Sequence, residues 1–275
     1  MSLTLMYITN NPTVAVIAEK YGVDRIWVDL ETINKEERQH GMNTVKSNHT
    51  LKDVSVIRNV ISSSQLLVRV NPLYEGTKKE VDEVVERGAE VIMLPMFRTA
   101  DEAKKFVDIV SGRARIILLA ETIEAERNLD EIVKVPGVDE IHIGLNDLHL
   151  AHEKKFMFEL LAEGNVDAMC SIIRKAGISY GFGGIARLNE GRLPARHIIT
   201  EHYRLGSSMA ILSRSFYDSK LERDSEEIER IFRDGIREIR EFERKLMSET
   251  VGYFEQNHKL VQLAVSNIVK GLNKQ

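Results

Sequence analysis

The chain has 275 residues, 43% hydrophobic and 29% charged, which is the balance of a soluble globular protein rather than a disordered or membrane-embedded one. A net charge of −4 and a pI near 6.1 come with no basic stripe for nucleic acid and no polybasic arm for a membrane surface. The length admits two small domains or one α/β barrel, and buries a large core without staples. The single cysteine, Cys170, excludes a disulfide framework and suits a reducing cytoplasm, the expected location. Cys170 lies in an apolar helix-like run and reads as packing rather than as a nucleophile. The opening "MSLTLMYITNN" lacks the basic start and apolar run of a leader, and no stretch approaches the ~20 apolar residues of a membrane span.

Taken in chain order, short β-branched runs alternate with longer amphipathic ones. Strands are predicted at "LTLMYIT", "RIWVDL", "QLLVRV", "EVIML", "RIILLA", "EIHIG", "ISYGFGG" and "SSMAIL". Their continuous apolar character suits strands buried on both faces of a parallel sheet. Between them, "LKDVSVIRNVI" reads as helical. "GTKKEVDEVVERG" places Val81, Val84 and Val85 on one helical face and stops at Gly88. "TADEAKKFVDIVSG" opens on Thr99 with Glu102 three residues on, a capping box. "MFELLAEGNVDAMCSIIRKAG" and "LPARHIITEHYRLG" are each predicted as one further helix. Eight strands alternating with helices in an unbroken chain argue for an α/β (β/α)8 barrel over residues 1–218.

After residue 218 the charge density rises. Leu221, Ile228, Phe232, Ile236, Ile239, Phe242 and Leu246 recur at helical steps. The segment 219–275 is therefore expected to be a helical extension, packed either on its own barrel or on a neighbouring subunit.

A parallel barrel gathers the C-terminal ends of its strands on one face, where chemistry sits. "VDLET" brings Asp29 and Glu31 there, "LLVRVNP" brings Arg69 and Asn71, "LLAETIEA" brings Glu121, "EIHIGLNDL" brings Asn146 and Asp147, and "GFGGIAR" brings Gly183 and Gly184. Four carboxylates and an arginine at an apolar mouth are costly unless paired or metal-bound. Hard oxygen ligands from one or two carboxylates describe an Mg²⁺ or Mn²⁺ site able to stabilise an enolate. The glycine pair offers backbone N–H groups at close approach. Each element alone has a plain alternative: an Asp after a strand is often a helix cap, and "GFGG" is often a tight turn.

The ordered set "LLVRVNP", "GAEVIMLPMFRTADEA", "LLAETIEA…L…I…VPGVDEIHIGLNDL" and "YGFGG" resembles the HpcH/HpaI 2-oxo-acid aldolase and citrate lyase β-subunit family, part of the phosphoenolpyruvate-and-pyruvate group of TIM barrels, over roughly residues 3–215. The resemblance implies C–C bond cleavage or formation through a pyruvate or acetyl-CoA enolate with Mg²⁺, Mn²⁺ or a similar ion. By motif, Glu121 and Asp147 would be the metal ligands. Arg69 would bind the substrate carboxylate and enolate oxygen. Asp29 and Glu31 would stand behind them, holding the ion's waters and Arg69. Asn146, Gly183 and Gly184 would line the substrate site. His149 and His152 fall past the ligand and read as rim or helix-start residues.

The sequence departs from the family where the aldolases usually carry Asp-Gly-Glu-His. Here it reads Asp29-Leu30-Glu31-Thr32, and no coenzyme A site is recognisable. Thr32 cannot supply the missing imidazole, so His49 is the expected general base, with His40, His149 and an ion-bound hydroxide held by Glu31 as competitors. The expectation is a metal-dependent class II aldolase or lyase of a small 2-oxo acid and an aldehyde, as a homo-oligomer; the family usually forms trimers or hexamers. A CoA-thioester lyase, or a non-catalytic barrel that kept its metal site, stands as the alternative.

Overall fold

The computed structural model describes residues 2–33, 48–218, 221 and 223–273. Eight parallel strands close into a barrel in sequence order: β1 Thr4–Ile8, β2 Arg25–Asp29, β3 Gln65–Arg69, β4 Val91–Leu94, β5 Arg115–Ala120, β6 Glu140–Ile143, β7 Ser179–Ile185 and β8 Met209–Leu212, with β8 paired back to β1. All eight strands expected from the apolar runs form. Side chains alternate between two cores, as period-2 geometry requires. Met6, Trp27, Leu67, Met93, Ile117, Leu119 and Met209 fill the barrel interior. Ile26, Val28, Leu66, Val68, Ile141 and Ile143 face the surrounding helices.

The helices are α1 Pro12–Lys20, α2 Leu51–Val60, α3 Thr77–Glu86, α4 Ala100–Val110, α5 Ile123–Arg127, α6 Leu129–Ile132, α7 Leu145–Ala151, α8 Glu159–Ala162, α9 Asn165–Lys175, α10 Ala195–Leu205, α11 Ser225–Leu246 and α12 Val251–Leu272. The capping box expected at Thr99 is present: the Thr99 hydroxyl accepts from the Glu102 N–H while the Glu102 carboxylate reaches back to the cap. The single helix expected over "MFELLAEGNVDAMCSIIRKAG" is two, α8 and α9. Gly164 breaks it at φ +95°, a left-handed conformation that ends one helix and starts the next.

Helix α11 lies on its own barrel. Phe232 packs edge-on to Tyr7, and the Leu3 N–H donates to Glu243 at 2.7 Å. Its buried stripe is Ile228, Ile231, Phe232, Ile236, Ile239 and Leu246. Leu221 does not join this stripe; it precedes the helix and is half exposed. Helix α12 is separate, begun by the Thr250 side chain accepting from the Tyr253 N–H, and packs against α10 and α8. No helix among the described residues is long and apolar enough to cross a membrane.

At the N-terminal end of the barrel the Arg25 guanidinium grips Glu140 with two hydrogen bonds, at 2.5 and 2.7 Å, both groups buried. The side-chain pair spans the barrel at this level from β2 to the opposite strand, β6. The C-terminal end opens into a cavity.

Candidate active site

That cavity has a volume of about 730 Å³. Its wall includes Asp29, Arg69, Glu121, Asn146, Asp147, Gly183, Gly184 and His49, so the strand-end residues expected to meet do share one space. Glu31 and Asn71 are the exceptions: Asn71 lies beneath the turn at Thr32 and Ile33 and does not line the cavity. Glu31 is buried at 2% exposure behind Arg69 and does not line the opening.

Asp29 and Arg69 are Cα partners in the β2–β3 register, so their side chains leave adjacent strands side by side. Arg69 Nε and Nη2 each donate to an Asp29 oxygen at 2.8 Å, and Nη2 also meets Glu31 at 3.1 Å. The guanidinium carbon lies 5.2 Å from the Trp27 ring centroid, a cation–π contact from the barrel interior. Burial alone would lower the Arg69 pKa; the charges of Asp29 and Glu31 and the Asp29 hydrogen bonds outweigh it and raise it, so the group is a permanent cation. The turn that presents Glu31 is held from below. Asn71 accepts the N–H of Thr32 at 2.8 Å and of Ile33 at 3.0 Å, and its own amide donates to Glu80 at 2.8 Å. Burial pushes the Glu80 carboxyl up in spite of those bonds.

Glu121 follows β5 directly and is 3% exposed. Its Oε1 accepts the Met96 N–H at 3.2 Å, and Met96 adopts φ +56°, a strained conformation for a side chain of this size. Gly144, between β6 and α7, approaches so closely that a Cβ there would lie 2.7 Å from Glu121 Cβ and 2.9 Å from Oε2. The glycine therefore leaves Glu121 its place at the wall, while α7 carries Asp147 in its first turn. Gly183 sits at φ +55° on the register shift between β7 and β8, where a bulge turns the strand end across the mouth.

These groups fit a hard divalent cation in one respect: Glu121 and Asp147 are oxygen donors that line the same cavity. Among the described residues there is no group of three His, Cys, Asp or Glu side chains placed to hold a metal. A site made here has two protein carboxylates, the number that Mg²⁺ commonly takes, with water and substrate oxygens completing the octahedron.

His49 reaches the cavity from the segment before α2. The Asp29 N–H donates to its Nδ1 at 3.0 Å, so the neutral ring carries its proton on Nε2. His40 lies outside the described residues. His149 is buried in α7, where Nδ1 meets the Leu145 carbonyl at 3.0 Å, and His152 pairs with Glu126 at 2.5 Å; neither lines the cavity.

Several lining residues were not expected, His142 and Arg192 among them. His142, on β6, is wholly buried, and burial pushes its pKa down to about 4. Its Nε2 donates to the Gly183 carbonyl at 3.2 Å and its Nδ1 has no partner among the described residues. The signal was present in "EIHIG", where Glu140 and His142 alternate with two isoleucines and so face the barrel interior. Arg192, on the loop after β7, gives no periodic signal at all.

A closed (β/α)8 barrel with an arginine–carboxylate network and two further carboxylates at its C-terminal mouth places the chain among the α/β barrels that gather polar groups at their strand ends. The chain belongs to the HpcH/HpaI aldolase/citrate lyase family, whose profile it matches over residues 3–181. It is 28% identical over 165 residues to the 2-keto-3-deoxy-L-rhamnonate aldolase of Escherichia coli O17:K52:H18 (strain UMN026 / ExPEC), and 27% identical over 165 residues to that of Salmonella gallinarum (strain 287/91 / NCTC 13346). Each match covers 49% of this chain, and the chain spans 56% of the length of each of these curated relatives. Among solved structures it is similar to an HpcH/HpaI aldolase from Desulfitobacterium hafniense DCB-2, at TM-score 0.60 and 17% identity, over 77% of this chain and 86% of that one. It is also similar to the citrate synthase SbnG, at TM-score 0.58 and 16% identity, over 87% and 94% of the two chains. At those identities the structures speak to the fold.

Proposed function

We propose that the chain is a carbon–carbon lyase of the class II aldolase type, acting on a small 2-oxo acid through a pyruvate enolate. The observation that carries this reading is that Arg69, Glu121 and Asp147 line one cavity at the strand ends of a barrel of this family. Glu121 and Asp147 would hold one Mg²⁺ or Mn²⁺ ion. When bound, that ion supplies Lewis acidity to the carbonyl and carboxylate oxygens of the 2-oxo acid.

The protein's own groups do the rest. Arg69 spends Nε and Nη2 on Asp29 and Glu31, which leaves Nη1 as its remaining donor for a substrate oxygen. Its fixed charge offsets the negative charge that grows on that oxygen as the C–C bond breaks. The Asn146 side chain and the backbone at Gly183 and Gly184 border the same space and orient the acid. His49 meets the substrate hydroxyl from the β2 side. With Nδ1 engaged by the Asp29 N–H, its neutral ring is a hydrogen-bond donor; taking up a proton requires Nδ1 to give up that amide. A family sequence without the aldolase histidine thus holds a different imidazole beside Asp29. A small-molecule 2-oxo acid and aldehyde are the partners this site suits.

The test is a screen of 4-hydroxy-2-oxo acids for pyruvate release, with Mn²⁺, with Mg²⁺ and with chelator. Release should require the ion, and Glu121→Ala and Asp147→Ala should each abolish both activity and Mn²⁺ binding in a folded protein. Ion-independent release, or full activity in both variants, sinks the assignment.

A further inference from the structure

The barrel interior is filled in layers, each taking side chains from alternate strands. The inward positions run Arg25, Trp27 and Asp29 on β2, and Glu140 and His142 on β6 with Gly144 next. Arg25 and Glu140 bond directly and close the lowest layer. Trp27 and His142 come two residues on along the same strands, and both line the cavity. They belong to its floor, one layer beneath Asp29 and Gly144 at the mouth. Around them the floor is apolar, with Ile8, Leu119 and Ile211.

Both polar side chains are buried, Trp27 at 2% exposure and His142 completely, and each carries an atom with no hydrogen-bond partner among the described residues. For Trp27 that atom is Nε1, which only donates. For His142 it is Nδ1. The Nε2–H of the ring is spent on the Gly183 carbonyl, so Nδ1 bears the lone pair and only accepts. Burial, which pushes the His142 pKa down to about 4, keeps the ring in that neutral form. An unmet donor and an unmet acceptor in apolar surroundings are both costly. A carboxylate gives nothing to Nδ1, and an ammonium takes nothing from Nε1. A hydroxyl does both, accepting from the indole and donating to the imidazole.

We propose that the floor of the cavity is a subsite for a hydroxyl of the substrate, received by His142 Nδ1 and Trp27 Nε1, so that His142 selects 2-oxo acids whose chain turns a hydroxyl into the barrel over equally long ones that turn a methyl group there. The proposal rests on the 2-oxo-acid reading above, and the two fail separately. In the presence of Mg²⁺ the protein is titrated calorimetrically with two pairs of probes matched in size, none of which a retro-aldol step can cleave: hydroxypyruvate against 2-oxobutanoate, and N-(2-hydroxyethyl)oxamate against N-propyloxamate. In at least one pair the hydroxyl probe should bind about tenfold tighter, the scale of a hydrogen bond to otherwise unmet buried groups. His142→Phe keeps a ring and removes the acceptor, and should bring the hydroxyl probe down to its alkyl partner. His142→Asn, with an amide oxygen in place of Nδ1, should keep part of the preference. Trp27 is the single tryptophan, so its indole N–H gives one resonance and a readout that needs no substitution. The hydroxyl probe of the favoured pair should displace that resonance and its alkyl partner should not, and this signal decides the matter where His142→Phe fails to fold. Equal binding within both pairs, or a preference that survives His142→Phe, overturns the subsite, leaves the two atoms to a resident water and leaves the oxo-acid reading standing. If none of the four probes binds, the oxo-acid reading itself fails and the subsite falls with it.

Discussion

Arg69 holds two jobs in one guanidinium. Its Nε and Nη2 fix the buried Asp29 carboxylate, and its remaining amino group is what a substrate oxygen can reach. Lysine keeps the charge and loses the fork, so it cannot do both at once. Arg69→Lys should therefore lower turnover by roughly 100-fold or more, the scale of losing one donor aimed at a developing oxyanion. Substrate-independent unfolding should show only a modest loss, since Asp29 keeps its other contacts. Near-wild-type kcat with lowered stability would make Arg69 a purely structural partner of Asp29 and Glu31. Glu31 illustrates the limit of reading position from sequence. Asp29 ends strand two and Glu31 follows it, yet only Asp29 reaches the cavity, because the Asn71 bonds to Thr32 and Ile33 turn the chain away.

At the scale of an element, the junction of β6 and α7 decides whether Glu121 and Asp147 line one cavity. Gly144 has φ −83°, a conformation open to any residue, so the demand for glycine there is one of space alone. Gly144→Ala would drive a methyl into the Glu121 side chain, at about 1–3 kcal/mol for an overpacked contact. Mn²⁺ affinity should fall about 10–100-fold, as when a carboxylate ligand loses its support, while the circular dichroism spectrum stays that of the parent. An unchanged Mn²⁺ affinity would remove Glu121 from the ligand set. The same element explains what was legible. Strands buried on both faces are continuous apolar runs, so all eight could be read, and a parallel barrel then carries their following residues to one end. The split between α8 and α9 was not legible because the apolar spacing runs on through Gly164. Nor was the separate α12, which restarts at Thr250 after a gap of only a few residues. His142 could have been read from its alternation with Ile141 and Ile143 on β6, whereas Arg192 sits on a loop whose position depends on hydrogen bonds that no spacing encodes.

At the scale of the whole molecule, the barrel is closed at one end by charge and open at the other for chemistry. Arg25 on β2 and Glu140 on β6 come from opposite sides of the ring, so their paired hydrogen bonds tie the barrel across its diameter. Burial would raise the Glu140 carboxyl, but the hydrogen bonds and charge of Arg25, with help from Arg115, hold it below the usual carboxylate range. Removing one partner strands a buried charge, whereas removing both with apolar residues need not. Arg25→Met should therefore lose about 3–5 kcal/mol of stability in urea at pH 7, and Arg25→Met/Glu140→Leu should recover most of it. The pH dependence follows from the depressed pKa. The stability that Glu140 contributes is fully present above its unfolded pKa of about 4.3 and is lost as pH falls through its folded value. The gap between wild type and Arg25→Met should thus be widest near neutrality and narrow below about pH 4, where Glu140 becomes protonated in the variant and then in the parent. Because the pair lies at the end of the barrel remote from Arg69 and Glu121, kcat measured well below the melting temperature should be unchanged in both variants. A gap that stays constant from pH 7 to pH 3 would mean that Arg25 stabilises through its packed side chain rather than through its charge on Glu140.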